Sequence, residues 1–330
     1  VFEKQGLPLK FILTGQHNDT MDDIIEEFGI ETLAIPLIKN KEHSSILALL
    51  LWLPRIFLLI ILTLKNYKKS NIFVHGDTLT TLMSTLAAKL TGHSVIHLES
   101  GLTSNNIFNP FPEEIIRRIV FRCTDVACCP SEQDTQHMKR YPKAKILYTH
   151  GNTILDSIIY LKIGENTKKE PKTILVSLRR FHNIYNKERL LSIVEVLITL
   201  SEEYTINFVR HPATQKKLSQ YGLLEILKKN RINLLTRMVY QKFLNFALSN
   251  EIVITDGGSN QEELAYFGHP TIILRKTTER QDGIGKNAIL INEPQDIVKF
   301  IMSKEYIILE KEKQSLTSSP SELIYNYFKS

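Results

Sequence analysis

The sequence predicts an α/β protein made of two halves, each a parallel sheet covered by helices. Three observations predict it. Short β-rich runs alternate with helical patterns along the chain, as parallel strands joined by crossover helices require. A polar stretch from Lys162 to Lys172, carrying Gly164, Asn166 and Pro171, interrupts that alternation near its midpoint. The length of 330 residues and a hydrophobic share of 43% give enough material for two cores.

The first group of β-rich runs is Leu9 to Thr14, Ile72 to His75, Ser94 to Leu98 and Val126 to Cys129. The second is Ile174 to Ser177, Thr205 to Arg210, Ile252 to Thr255 and Thr271 to Leu274. The expected organisation is an N-terminal domain over 1–160, a linker over 161–172, a C-terminal domain over 173–305, and helices over 306–330 that cross back to the first half. The segment from Ile46 to Leu64 is the most apolar in the chain and approaches the length that spans a bilayer. Pro54 and Arg55 sit at its middle, and a central Arg is costly in lipid. Three readings stay open for it: a buried helix or helix pair, a surface touching a membrane or partner, and a transmembrane segment.

A net charge of +6, from 41 basic and 35 acidic side chains, is a mild excess compatible with an anionic ligand or membrane surface. No aromatic-interleaved basic stripe or zinc-finger spacing is present, so nucleic acid is not an expected partner. Cys123, Cys128 and Cys129 are odd in number, and two lie inside an apolar run, which fits buried thiols in a reducing compartment. The histidines show no metal-ligand spacing, and neither a metal nor a cofactor is expected. No positively charged leader opens the chain, so a cytoplasmic location is expected.

Ligands of open parallel sheets bind beyond the carboxyl ends of the strands, and polar residues just after a strand are the first candidates. Asp77 follows the run Ile72 to His75 in His75-Gly76-Asp77-Thr78. Glu99 follows Ser94 to Leu98 in Leu98-Glu99-Ser100-Gly101. Glu113 stands in Pro110-Phe111-Pro112-Glu113-Glu114, opening a helix. Asp77 is either a catalytic acid or an N-cap, and Glu113 either a catalytic acid or a first-turn acid favoured by the helix dipole. Glu99 has no obvious capping partner. Three acids meeting in one crevice would raise at least one pKa, which suits acid and base work near neutrality.

In the second half, Ile252 to Glu263 reads as a strand, a glycine turn and a helix. Gly257, Gly258 and Ser259 let backbone N–H groups approach a phosphate at the positive end of that helix. Glu263, about one turn further on, can accept both hydroxyls of a ribose. Thr277-Thr278-Glu279-Arg280 after the next strand strengthens the case for a nucleoside diphosphate, and Arg179, Arg180 and His211 add cationic or polar donors at two more strand ends, with surface charge as the alternative for each of these three.

The ordered set TGQH (Thr14 to His17), HGDT (Thr78 at its end), LESGL, NPFPEEIIRR (Asn109 to Arg118), GNTILD (Gly151 to Asp156), His211-Pro212, TDGGSNQEE (Thr255 to Glu263) and TTER (Thr277 to Arg280) resembles the non-hydrolysing UDP-N-acetylglucosamine 2-epimerase family over nearly the whole chain. The resemblance implies the GT-B fold, two Rossmann-like domains with parallel sheets facing a central cleft. It also implies a UDP-sugar substrate, a homodimer, and a reaction that eliminates UDP and adds it back after inversion at C2. In the family's motifs Asp77, Glu99 and Glu113 match the catalytic acids, Gly257, Gly258 and Ser259 the diphosphate turn, and Glu263 the ribose ligand.

The chain departs from the pattern in several places. It starts inside the helix that follows the family's first strand, so about one β-α unit is expected to be missing. Arg179 stands where the family keeps a functional His, and a guanidinium does not shuttle protons near neutrality. His182 is the nearest substitute. The glycine turn reads Asp-Gly-Gly-Ser rather than Asp-Ser-Gly-Gly, and Gln281-Asp282 replaces Pro-Glu. The segment from Ile35 to Ser45 lacks the glutamine-containing stretch of an allosteric site, so substrate activation is not expected. The leading expectation is epimerisation of UDP-N-acetylglucosamine or a related UDP-2-acetamido sugar for surface polysaccharide. A GT-B glycosyltransferase or UDP-sugar hydrolase, with Ile46 to Leu64 near a membrane, is the alternative, and a non-catalytic UDP-sugar binder the third.

Overall fold

A computed structural model describes residues 1–15, 18–38, 46–108, 110–316 and 318–329, with side chains from residue 21 in the helix beginning at 18 and from residue 51 in the helix beginning at 46. Gln16, His17 and Asn109 of the quoted motifs, and residues 39–45, lie outside the described residues. The chain divides into two compact units, Val1–Ser157 with Thr317–Ser330, and Ile158–Leu316. The first boundary thus precedes the polar stretch 162–172.

In the first unit, β1 (Phe11–Leu13) and β2 (Ala34–Pro36) form a parallel pair, with Phe11 opposite Ala34. A second parallel sheet holds β3 (Asn71–His75), β4 (Ser94–Leu98), β5 (Val126–Cys129) and β6 (Lys145–Tyr148) in sequence order. All of β5 is buried, as expected of a parallel strand covered on both faces.

The apolar segment is one helix, Ile46–Lys65, with Pro54 inside it, rather than a helix pair. Trp52, Ile56, Ile60 and Leu64 recur every four residues and are buried against Val74, Val95, Ala87 and Ala88. Each of the three aliphatic side chains, Ile56, Ile60 and Leu64, is worth about 1.5–3 kcal/mol when fully buried. The other face exposes Leu51, Leu58 and Leu62. Among the described residues no helix is long and apolar enough to cross a membrane.

The second unit is a six-stranded parallel sheet of β7 (Glu170–Ser177), β8 (Thr205–Val209), β9 (Asn233–Leu235), β10 (Asn250–Thr255), β11 (Thr271–Leu274) and β12 (Ala288–Ile291). Its order is β12-β11-β10-β7-β8-β9. The chain runs outward from β7 to one edge, then crosses back to β10 and runs to the other. The crevice between the ends of β7 and β10 is therefore the topological switch point, where open α/β sheets bind ligands. Buried Ile174, Val176, Ile206, Phe208, Ile252 and Ile254 on the sheet pack with Leu190, Ile193, Val194 and Leu197 of the helix Lys187–Leu200.

Strands β2, β6, β9 and β12 lie in segments the sequence pattern left unassigned. They are short, three or four residues each, and only partly buried along their length. Strand β8 ends at Val209, one residue before the expected Arg210, and β7 starts at Glu170, inside the polar stretch.

Candidate functional site

The candidate residues form two groups, one in each unit. In the first unit Asp77 follows β3 but does not cap the next helix. That role falls to Thr78, whose Oγ1 accepts from the backbone N–H of Thr81 at 3.2 Å. Asp77 is instead ion-paired to Arg117 Nη2. Arg117 is buried in the helix Glu113–Cys123, and its Nη1 also reaches Glu114 Oε2 at 3.4 Å. One guanidinium thus ties the Asp77 loop to the helix that Glu113 opens.

Of the two glutamates at that helix start, Glu114 is structural. It is fully buried and accepts hydrogen bonds from Thr103, from the Ser104 backbone N–H at 3.2 Å and from Arg118 Nε at 3.3 Å. Burial opposes its ionisation, but the bonds from Thr103 and Ser104 and the charge of Arg117 outweigh that and hold its pKa below the usual value. Glu113 differs: its Oε2 is buried with no hydrogen-bond partner. The position at the first turn that the dipole favours is confirmed. A buried carboxylate oxygen with no partner in the protein is costly for packing alone.

Glu99 occupies a left-handed backbone conformation, with φ of +58°, which is uncommon for a residue with a side chain. Its Oε1 accepts from Asn152 Nδ2 at 2.9 Å, and its Oε2 lies 3.6 Å from Nε2 of His75. A Cβ built on Gly76 would meet the same Oε2 at 3.5 Å, so the Glu99 carboxylate lies against the loop that carries Asp77. Buried His97, on β4, touches both loops: Nε2 is 2.8 Å from the Gly76 carbonyl oxygen and Nδ1 is 2.9 Å from Ser100 Oγ. The first unit therefore brings the loops of Asp77 and Glu99 together and joins the former to the Glu113 helix.

In the second unit β10 ends at Thr255 and the helix Gly258–Tyr266 begins three residues later. Gly257 is its N-cap and makes no side-chain cap bond. The first-turn N–H groups of Gly258, Ser259 and Asn260 have no acceptor within the helix, as at any helix start, and carry its positive dipole end. A Cβ on Gly258 would come within 3.0 Å of Arg280 Nε, so glycine lets the guanidinium lie over the turn.

Asp256, fully buried, organises this switch point. Its carboxylate accepts from the backbone N–H of Arg179 at 2.9 Å, the backbone N–H of Arg180 at 3.0 Å and Asn183 Nδ2 at 2.9 Å. The loop after β7 is thereby fixed to the turn after β10. Arg180 Nε donates to the Asp256 carbonyl at 3.0 Å, and its Nη2 reaches Glu279 at 3.3 Å. Glu279 also takes Arg275 Nη2 at 2.7 Å. Burial disfavours the Glu279 carboxylate, yet Arg275 and Arg180 overcome it and bring its pKa down to about 2.

Arg280 is paired with Glu262, and the Arg179 side chain is exposed. Glu263 is buried, and burial pushes its pKa up to about 7 against the opposing influence of Tyr240, Arg179 and Arg280. His211 sits elsewhere, as N-cap of the helix Pro212–Gln220, with Nδ1 accepting from Ala213 N–H at 3.4 Å. The exposed His182 lies in a single helical turn after the Arg179 loop, its pKa lowered by partial burial and by Arg189.

Sequence reasoning missed His97, Arg117, Asn152, Asn183, Asp256, Arg275 and Glu279 as working parts. Arg117, Asn152, Asp256 and Glu279 sit within the quoted motifs but had no local reason for a role of their own. Only His97 carried a signal of its own, a polar ring in the middle of an apolar strand.

A turn rich in N–H donors at the switch point of a six-stranded parallel sheet, with cationic side chains beside it, is the geometry of a Rossmann-like unit suited to an anion. The other unit adds a set of carboxylates. The chain belongs to the UDP-N-acetylglucosamine 2-epimerase family, whose sequence profile matches residues 1–323. A UDP-N-acetylglucosamine 2-epimerase of Methanocaldococcus jannaschii is 30% identical over 320 residues, covering 91% of this chain and 85% of that protein. The structure of a Methanocaldococcus jannaschii enzyme of that name, in complex with UDP-GlcNAc and UDP, superposes with a TM-score of 0.83 at 26% identity, over 100% of this chain and 94% of that one. The Neisseria meningitidis enzyme bound to UDP-GlcNAc gives 0.81 at 23% identity, over 100% and 94%. The fold is GT-B.

Proposed function

We propose that this chain interconverts UDP-N-acetylglucosamine and UDP-N-acetylmannosamine by eliminating UDP and adding it back, in surface polysaccharide synthesis in the cytoplasm. The observation that carries this reading is the set of carboxylates Asp77, Glu99 and Glu113, joined through Arg117 and His97, in a chain of this family. In the forward direction a carboxylate removes the C2 proton while the C1–O bond breaks, giving a 2-acetamidoglucal and UDP. A proton returned to the opposite face of C2, with the diphosphate oxygen attacking C1, completes the inversion.

Asp77 and Glu99, both supplied with hydrogen-bond or ionic partners, serve as stabilised carboxylates. Glu113, with an unpartnered oxygen, meets the substrate directly. Gly257, Gly258 and Ser259 bind the diphosphate, Arg280 and Arg180 balance its negative charge, and Glu263 accepts hydrogen bonds from the ribose hydroxyls. His211, tied up as a helix cap, contributes a positioned backbone rather than a free imidazole.

Incubation with UDP-N-acetylglucosamine in deuterated water tests the reading: deuterium at C2 together with the manno epimer is expected. UDP binding without exchange would refute it, and net release of UDP would point to a hydrolase or transferase. The exposed Leu51, Leu58 and Leu62 support a homodimer contact, with a lipid surface as the rival occupant. Sedimentation with and without anionic vesicles separates the two.

A further inference from the structure

We propose that His97 is a positioning residue for this reaction, setting where the Asp77 and Glu99 carboxylates stand relative to each other. The inference rests on reading those two residues as catalytic acids. It comes from the placement of one buried ring between two loops that are separate in sequence.

The two contacts define the tautomer. A carbonyl oxygen only accepts, so the 2.8 Å contact with Gly76 requires a proton on Nε2. Burial is the main cause that brings the His97 pKa down to about 4, despite the Gly76 hydrogen bond and the Glu99 charge that favour protonation. The charges of His75 and Arg117 act with burial. The ring is therefore neutral near physiological pH. Its Nδ1 lone pair then accepts the Ser100 hydroxyl proton across 2.9 Å. Both nitrogens are committed, and the ring is only 1% exposed, so it has no free site for proton transfer to a substrate.

What the ring holds is not held well by the backbone alone. Gly76 and Glu99 both take positive φ, at +66° and +58°. Glycine adopts that region readily, whereas a glutamate does so at a cost that surrounding contacts must offset. The Gly76 N–H reaches the Leu98 carbonyl at a long 3.4 Å, and the Ser100 N–H is anchored to Cys128 at 2.9 Å. His97 closes this arrangement from below: it grips the residue before Asp77 with one nitrogen and the residue after Glu99 with the other. Its ring packs on Phe121 at 5.6 Å between centroids, and Phe121 belongs to the helix that Glu113 opens. A displacement of either carboxylate would misalign proton transfer, to which rate is steeply sensitive.

The test compares the full chain with His97→Phe, His97→Gln and Ser100→Ala. Phe keeps the ring and loses both hydrogen bonds, and the Gln amide can still donate to Gly76. His97→Phe is expected to lower kcat by at least about 30-fold with KM changed by less than about threefold. His97→Gln should recover about tenfold of that loss, and Ser100→Ala should cost about threefold. UDP-induced thermal stabilisation should persist in each. A His97→Phe kcat within about threefold of the wild type overturns the proposal. If that variant does not fold, wild-type kcat in both His97→Gln and Ser100→Ala overturns it instead.

Histidine 15N NMR supplies a readout independent of turnover. The His97 signals, assigned by their loss in His97→Gln, should show the Nε2-protonated neutral ring unchanged between about pH 5.5 and 8.5. Titration within that range, or the other tautomer, also overturns the proposal. Absence of C2 exchange in the wild type, with the NMR signature intact, would instead remove the epimerase reading and with it the catalytic role of the clamp.

Discussion

Replacing Glu263 by Gln separates stability from ligand binding. The wild-type carboxyl is buried and has its pKa raised from 4.5 to about 7, chiefly by burial, with Tyr240, Arg179 and Arg280 opposing. A folded-state pKa above the unfolded one means that the group's stabilising contribution is complete below about pH 4.5 and is lost as pH rises to about 7. Above that the loss is constant, at about 3 kcal/mol for a gap of this size, at about 1.4 kcal/mol per unit. Glutamine cannot ionise and suffers no such loss.

The stability of Glu263→Gln relative to wild type should therefore climb by about 2 kcal/mol between pH 5.5 and pH 8.5, most of it below pH 7. Urea denaturation of the ligand-free protein at a series of pH values measures it. UDP titrations should move the other way. Two ribose hydroxyls donating to a carboxylate are better satisfied than by a neutral amide, and affinity should fall about 10- to 100-fold at pH 8. The same donors favour the ionised form, so UDP binding to wild type near pH 7 should release protons, visible as a buffer-dependent heat. A stability difference that does not change with pH would refute the account of Glu263. Unchanged UDP affinity would refute its role at the ribose.

Asn152→Ala removes the amide that donates to Glu99; a bond to a charged group is worth about 1.5–3 kcal/mol, so C2 exchange should slow about 10- to 100-fold at unchanged UDP affinity. Asp256→Asn turns an acceptor of N–H groups from Arg179, Arg180 and Asn183 into a partial donor; unfolding free energy should drop by about 2–4 kcal/mol and UDP binding weaken with it, both measurable by thermal shift with and without UDP. Ile56→Ala, in the fully buried face of the apolar helix, should cost about 2–4 kcal/mol in urea denaturation without changing UDP affinity.

The parallel sheets were legible because their signal is local. Val126 to Cys129 is a continuous apolar run and Thr271 to Leu274 is a β-branched, largely apolar one, and both are strands with those limits. Strand β9 escaped because an edge strand buries less and Asn233–Leu235 is too short and mixed to form such a run, whereas β12 is an apolar run, Ala288–Ile291, that went unassigned. The glycine turn after β10 was legible for a similar reason: strand, two glycines and helix are adjacent in sequence. The supports were not. Asp256 acts on residues 77 positions before it, and Asn152 on one 53 positions before it. No spacing rule links such pairs, since the fold alone brings them together. The Asp77 capping alternative failed for a short-range reason, because the neighbouring Thr78 hydroxyl takes that place.

Arg179 decides how the proposed reaction must be divided. The family resemblance puts a His at this position, and His near neutrality could take and return a proton. A guanidinium stays protonated throughout that range and cannot. Here its backbone N–H is fixed by Asp256 while its side chain is exposed and its charge acts on Glu263 of the helix after the donor-rich turn, a placement suited to a diphosphate charge. Under the proposed function the work left to Arg179 is to stabilise the leaving group, and the proton steps at C2 fall to the carboxylates. Among those, Asp77 is matched by the Arg117 charge and Glu99 by the Asn152 amide, while Glu113 keeps one oxygen without a partner. An unmatched acid can donate a proton and accept it back without first breaking an internal bond. Glu113 is accordingly the residue on which an epimerase lacking the His would depend most.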